Sequence, residues 1–146
     1  MNLNRTALVG LLTVLAICMS RRSSAGEVAA ALTAMNDPFE GHWVVTLEPD
    51  EDARRAGEKG VEDTLTFQGG KFSSEQYKKR GFEPIEYDED TRRFGPATFI
   101  AKGASKTDGK TKWTGTATAS SLSGDLTWTR KDGTEIHFSY KGERKN

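Results

Sequence analysis

Lys112-Trp-Thr-Gly-Thr-Ala-Thr-Ala119, Leu122-Ser-Gly-Asp-Leu-Thr-Trp-Thr-Arg130 and Thr134-Glu-Ile-His-Phe-Ser-Tyr-Lys141 form the stretch that decides the fold. Each segment alternates with period two, the repeat of a strand with one face buried and one face wet. Trp113, Gly115 and Ala117 share a face against Thr114, Thr116 and Thr118. Leu122, Leu126 and Trp128 oppose Ser123, Asp125, Thr127 and Thr129, and Ile136, Phe138 and Tyr140 oppose His137 and Ser139. Asp108-Gly109 and Asp132-Gly133 are hairpin dipeptides, because both suit a tight turn that needs positive φ.

The same alternation runs upstream. Gly41-His-Trp-Val-Val-Thr-Leu47 places Trp43, Val45 and Leu47 on one face, and Pro49 ends it. Asp50–Gly57 is acidic first and basic later, which suits a helical turn or two with Asp50 near the N-cap, inside a long 48–61 connection. Asp63–Gln68 alternates again, with Leu65 and Phe67 against Thr64, Thr66 and Gln68. Gly69-Gly70 is a two-residue turn into Lys71–Tyr77, where phasing on Phe72 points Ser74 and Gln76 inward. Phe82–Tyr87 carries Pro84, a mark of an edge, bulge or strand end. Asp88-Glu89-Asp90 turns the chain into Arg93–Ala101, interrupted by Gly95-Pro96. This gives about eight strands in roughly 105 residues joined by mostly short connections. An open sheet of that size leaves two exposed edges, and closure removes both. The predicted fold is therefore all-β, an eight-stranded antiparallel up-and-down β-barrel, with a two-sheet sandwich as the alternative.

Composition divides the chain in two. Among 146 residues, 21 Lys and Arg balance 21 Asp and Glu. Residues 1–25 carry Arg5, Arg21 and Arg22 and no acid, so the remainder holds 18 bases against 21 acids. That slightly acidic remainder has no basic block to grip phosphates, which argues against nucleic acid as a partner. Residues 1–25 read as a signal peptide: a basic start, an apolar run from Thr6 to Met19 too short to span a bilayer, then Ser23-Ser24-Ala25 for cleavage. Ala34 is a second cleavage position, and an uncleaved anchor stopped by Arg21-Arg22 is the alternative. Ile17 is too bulky before Cys18 for a lipobox, so lipid anchoring there is not expected. The prediction is export to the periplasm or the cell exterior, with no membrane span in the mature form. Residues 26–38 form a flexible or short helical arm, and residues 39–144 the barrel domain. All 13 aromatics lie at or after Phe39, and the one cysteine is Cys18, so the barrel must hold itself by packing without a disulfide.

Gly41-His42-Trp43 resembles the Gly-x-Trp signature that opens the first strand of lipocalins and related calycins. Its position after a leader and before a long first connection, and the meander of seven further strands, are also similar to that superfamily. The resemblance implies that Trp43 closes the barrel floor against an arginine on or after the last strand. Arg144 has the best-matching position, with Lys141 or Arg130 as substitutes. This chain has Ser120-Ser121 where those families carry a Thr-Asp-Tyr motif, so it resembles a short, divergent member.

Trp113, Trp128, Phe138, Tyr140 and Phe67 are the candidate ligand-binding residues, since neighbouring strands can gather them on an inner wall suited to a flat or apolar ligand. The same rings can instead fill the barrel, because eight strands leave an interior that side chains alone can pack. Gly115 and Ala117, small residues beside Trp113, leave space for a ligand. His42 and His137 fall on the outer face, with His42 expected opposite residue 142 and His137 opposite Leu47. Two histidines fall short of the three protein ligands of a usual zinc site, so no metal and no cofactor is expected. The acidic runs Glu48–Asp52 and Glu86–Asp90 lack EF-hand spacing, and the cleanest strands turn their carboxylates outward. No catalytic motif is present, so no catalytic residue is assigned.

These features predict an exported, non-enzymatic binding protein holding a small apolar or aromatic ligand inside the barrel. The alternative is a protein-interaction or inhibitor-like module with a filled barrel, using its rim loops.

Overall fold

The computed structural model describes residues 37–91 and 95–146, so the expected leader and residues 26–36 of the arm lie outside the described residues. Eight strands follow in order: β1 (Gly41–Pro49), β2 (Val61–Gln68), β3 (Lys71–Ser74), β4 (Ile85–Asp90), β5 (Ala97–Ser105), β6 (Gly109–Ala117), β7 (Ser121–Thr129) and β8 (Glu135–Arg144). Each pairs antiparallel with the next, and β1 pairs with β8, so the sheet closes into an up-and-down barrel and not a sandwich. Two short helices interrupt the meander, α1 (Glu51–Arg55) and α2 (Glu75–Lys78). No helix among the described residues is long and apolar enough to cross a membrane.

Local chemistry accounts for the turns. Gly69 and Gly70 both have positive φ, +59° and +76°, the pair that a two-residue hairpin with the strands' own twist requires. The Asp50 carboxylate accepts from Ala53 N at 2.7 Å and caps α1, as its acidic-then-basic sequence suggested.

Three elements differ from the sequence reading. Lys71–Tyr77 is not one strand: β3 ends at Ser74, whose hydroxyl accepts from Tyr77 N and caps α2. Ser74 is buried, but Gln76 belongs to the helix, half-buried at the rim, with Nε2 donating to Glu62 O. The fourth strand begins at Ile85, after Pro84, and continues through the acidic run to Asp90. The fifth begins after Gly95-Pro96 and runs on through Lys102-Gly-Ala-Ser105, where small and polar residues hide the alternation.

The β1–β8 register also differs. Trp43 lies opposite Arg144 and Leu47 opposite Tyr140. His42 therefore neighbours Lys145, whose N–H donates to His42 O, and His137 O accepts from Asp50 N. The pleat explains the offset. Directly paired residues share a face, so the inward odd-numbered residues of β1 must meet the inward even-numbered residues of β8.

The strand directions place both described chain ends, the 69–70 turn and the 118–120 turn at one end of the barrel, the floor. The α1 connection, α2 and the hairpins at 106–108 and 130–134 lie at the other end, the helical rim.

Candidate functional site

The interior is a continuous column of rings. Phe39 and Phe67 stack at 5.3 Å near the floor, and Phe67 meets Phe99 edge-on at 4.9 Å. Phe72 carries the column upward, 5.6 Å from Phe99 and 5.2 Å from Trp113. Trp113 meets Tyr140 at 5.6 Å and Tyr77 at 5.4 Å. Tyr77, from α2, ends the column against Trp128 at 5.9 Å and Phe82 at 5.6 Å. Spacings of this kind, mostly edge-to-face, are those favoured by ring quadrupoles.

All five residues expected at a ligand wall are buried, none above 5% exposed. Trp113 and Tyr140 touch directly; Trp128 joins them through Tyr77, and Phe67 through Phe72. Phe138 pairs with Leu126 and Pro49 and lines a cleft beside Glu58 of the α1 connection. Gly115 does leave room beside Trp113, and the barrel's own side chains occupy it. A Cβ there would stand 2.4 Å from Tyr140 Oη and 2.5 Å from a Phe99 ring carbon. Tyr140 crosses β7 at Gly124 to donate to Thr114 O on β6 at 2.8 Å.

At the floor, the Arg144 guanidinium lies 4.3 Å over the Trp43 ring and donates to Pro38 O at 2.7 Å and to Glu40 O. Trp43 Nε1 donates to Phe39 O at 2.8 Å, so the indole and the arginine together tie the entering segment beneath the barrel. Gly41, with φ +122°, sits where a Cβ would come within 3.2 Å of Arg144 Nη1. Beside this floor, Tyr87 Oη donates to Asp37.

One inward carboxylate escaped the sequence reading, which considered only the outward acids of the cleanest strands. Asp63 is only 2% exposed and shares the inner face of β2 with Leu65 and Phe67. Its Oδ2 accepts from Ser74 Oγ and its Oδ1 from Gln76 N at 3.1 Å. Burial pushes its carboxyl above the ordinary carboxylate range, and these donors oppose the shift. The signal was available in the numbering, since 63, 65 and 67 have one parity. Asp63 and Ser74 together fix the start of α2 and hence Tyr77, whose phenol burial likewise pushes above its ordinary range.

The helical rim gathers charge around one indole. Trp128, anchored by Nε1 donating to Asp108 O at 2.6 Å, has the Arg130 guanidinium 4.8 Å from its ring centre and that of Arg80 at 4.6 Å. Arg130 is ion-paired with Glu58 of the α1 connection. Clefts flank this group. One of about 430 Å³ is lined by Arg80, Thr107, Asp108, Trp128, Arg130, Lys131 and Asp132. The other, of about 350 Å³, runs between the α1 connection and α2 and shares Arg80.

The histidines stay on the outer surface and apart from this rim group. His42 Nδ1 lies 3.0 Å from Thr66 Oγ1, and His137 Nδ1 lies 3.2 Å from Thr127 Oγ1. No family profile matches this chain, and neither a curated protein nor a solved structure matches it.

Proposed function

We propose that this chain is a short, divergent calycin-like barrel that is exported and acts as a non-enzymatic binding module through its helical rim. The observation that supports a rim over an interior pocket is the aromatic column. Phe39 closes one end, Tyr77 stoppers the other, and the Gly115 space is occupied by Tyr140 and Phe99. A ligand inside would have to displace rings that the cysteine-free domain uses for its own cohesion. The rim, in contrast, presents two guanidinium groups laid on a buried indole, unlike charges and two open clefts, the mixture that suits a protein partner.

Two measurements decide between rim and interior. Native mass spectrometry of the purified protein is expected to give the bare polypeptide mass. Photo-crosslinkers at Lys59 and Lys131 on the rim are expected to capture a partner that a crosslinker at Thr64, on the barrel wall, does not. A stoichiometric small molecule retained in the spectrum would favour the apolar-ligand carrier instead, and capture indifferent to position would remove the rim reading.

A further inference from the structure

We infer that Arg80, laid on Trp128 at the helical rim, is a receptor for a single carboxylate of a peptide or protein partner. The inference rests on the rim-binding reading and names the chemistry of its contact.

The other described arginines are all engaged. Arg54 and Arg55 pair with acids of their own neighbourhood, Arg130 pairs with Glu58, and Arg144 donates to two carbonyls. Among the described residues, the Arg80 guanidinium has no hydrogen bond or ion pair with the protein; its contacts are the Trp128 ring at 4.6 Å and the Tyr77 ring at 5.9 Å. The backbone that carries it is held in place. Arg80 N donates to Tyr77 O at 3.0 Å, and Arg80 O accepts from Ser105 Oγ at 3.0 Å. The platform is fixed too, because Trp128 is buried and its indole N–H is bonded. A guanidinium that lies over an indole and has no protein acceptor keeps its planar fork of N–H donors available for a bidentate oxyanion.

Charge selects the kind of oxyanion. The two clefts that share Arg80 are lined by Lys59, Arg80, Arg130 and Lys131 against Glu58, Asp108 and Asp132. One positive charge is left over, and it matches a monoanionic carboxylate. A phosphate dianion would leave one negative charge facing Asp108 and Asp132.

The test is a titration of the full domain followed by the indole and guanidinium N–H resonances, with the Trp43 and Trp113 indoles as internal references. Three probes are compared: a glutamate peptide blocked at both ends, an acid-free peptide with a free C-terminal carboxylate, and inorganic phosphate. Saturable movement of the Trp128 and Arg80 signals is expected with at least one carboxylate probe, and which one responds tells a side chain from a chain terminus. Arg80→Gln should weaken that response about tenfold or more, and Arg80→Lys less, because the charge remains while the fork is lost. A stacking role alone would alter thermal stability without any of this probe dependence. No saturable movement, an unchanged response in Arg80→Gln, or a preference for phosphate would overturn the inference. Rim crosslinking that persists with a silent titration would overturn this inference and leave the rim reading standing.

Discussion

Asp63 concentrates a conflict that the barrel resolves with hydrogen-bond donors from β2, β3 and α2. A carboxylate on the inner wall loses its hydration, and Ser74 Oγ, Gln76 N and neighbouring backbone N–H groups return part of that loss. Its carboxyl still titrates above the ordinary value of 3.8, so the folded chain holds this proton more tightly than the unfolded chain. Asp63 therefore adds stability on acidification, fully present below the unfolded value and lost as pH rises through the folded one. Melting of the parent and of Asp63→Asn, compared from about neutral pH down to about pH 4, should show the parent gaining relative to the variant as pH falls. Parallel curves would mean that Asp63 ionises as freely folded as unfolded. The residue was legible only in part. Parity alone places position 63 inward, but an acid at the mouth of a strand is ordinarily solvated, and the partners that retain it come from a helix that alternation does not reveal.

Elements were legible where their alternation is carried by large side chains and hidden where it is not. β6, β7 and β8 read cleanly because Trp113, Leu126, Trp128, Phe138 and Tyr140 mark the inner face. α2 did not, since a single helical turn is too short for a 3.6 repeat to show against period two. Gly115 of β6 was legible as space but not as to its occupants, Tyr140 on β8 and Phe99 on β5, which depend on how the closed barrel brings those strands together. This predicts an ordered pair of effects. At Gly115 the closest obstacles to an added methyl are side chains, Tyr140 Oη and the Phe99 ring, which can shift only by loosening the column, so Gly115→Ala should destabilise by about 1–3 kcal/mol. At Gly124 the nearest obstacle is backbone, Thr114 O at 1.9 Å, so β6 and β7 must part and Gly124→Ala should cost more. Urea unfolding of the two variants measures the order. A Gly124→Ala protein as stable as the parent would mean that the strands do not approach so closely there.

At the scale of the molecule, a closed barrel must still have a weakest seam, and closure alone does not say where. The β1–β8 joint, which makes the ring, is well made: register runs from Trp43 opposite Arg144 to Pro49 opposite Phe138, and Arg144 fastens its lower end through the entering segment. The β3–β4 joint is different. Its register consists of Lys71 with Glu86 and Phe72 with Ile85, because α2 takes over after Ser74 and the rest of β4 extends past the 69–70 turn. β4 is also the most exposed strand, with Ile85 and Tyr87 only partly buried and the others open to water. Backbone opening should therefore begin between β3 and β4, while the β5-to-β1 arc stays paired until global unfolding. In native-state hydrogen exchange, the β4 amides bonded across either seam should exchange at least about tenfold faster than those of β7 and β8, a gap of about 1.4 kcal/mol. The α2 amides should follow β4, since Ser74 ends β3 and begins the helix. Faster exchange at the β1–β8 joint than at β4 would place the weak seam at the closure of the ring instead, and the short β3–β4 register would then not set where opening begins.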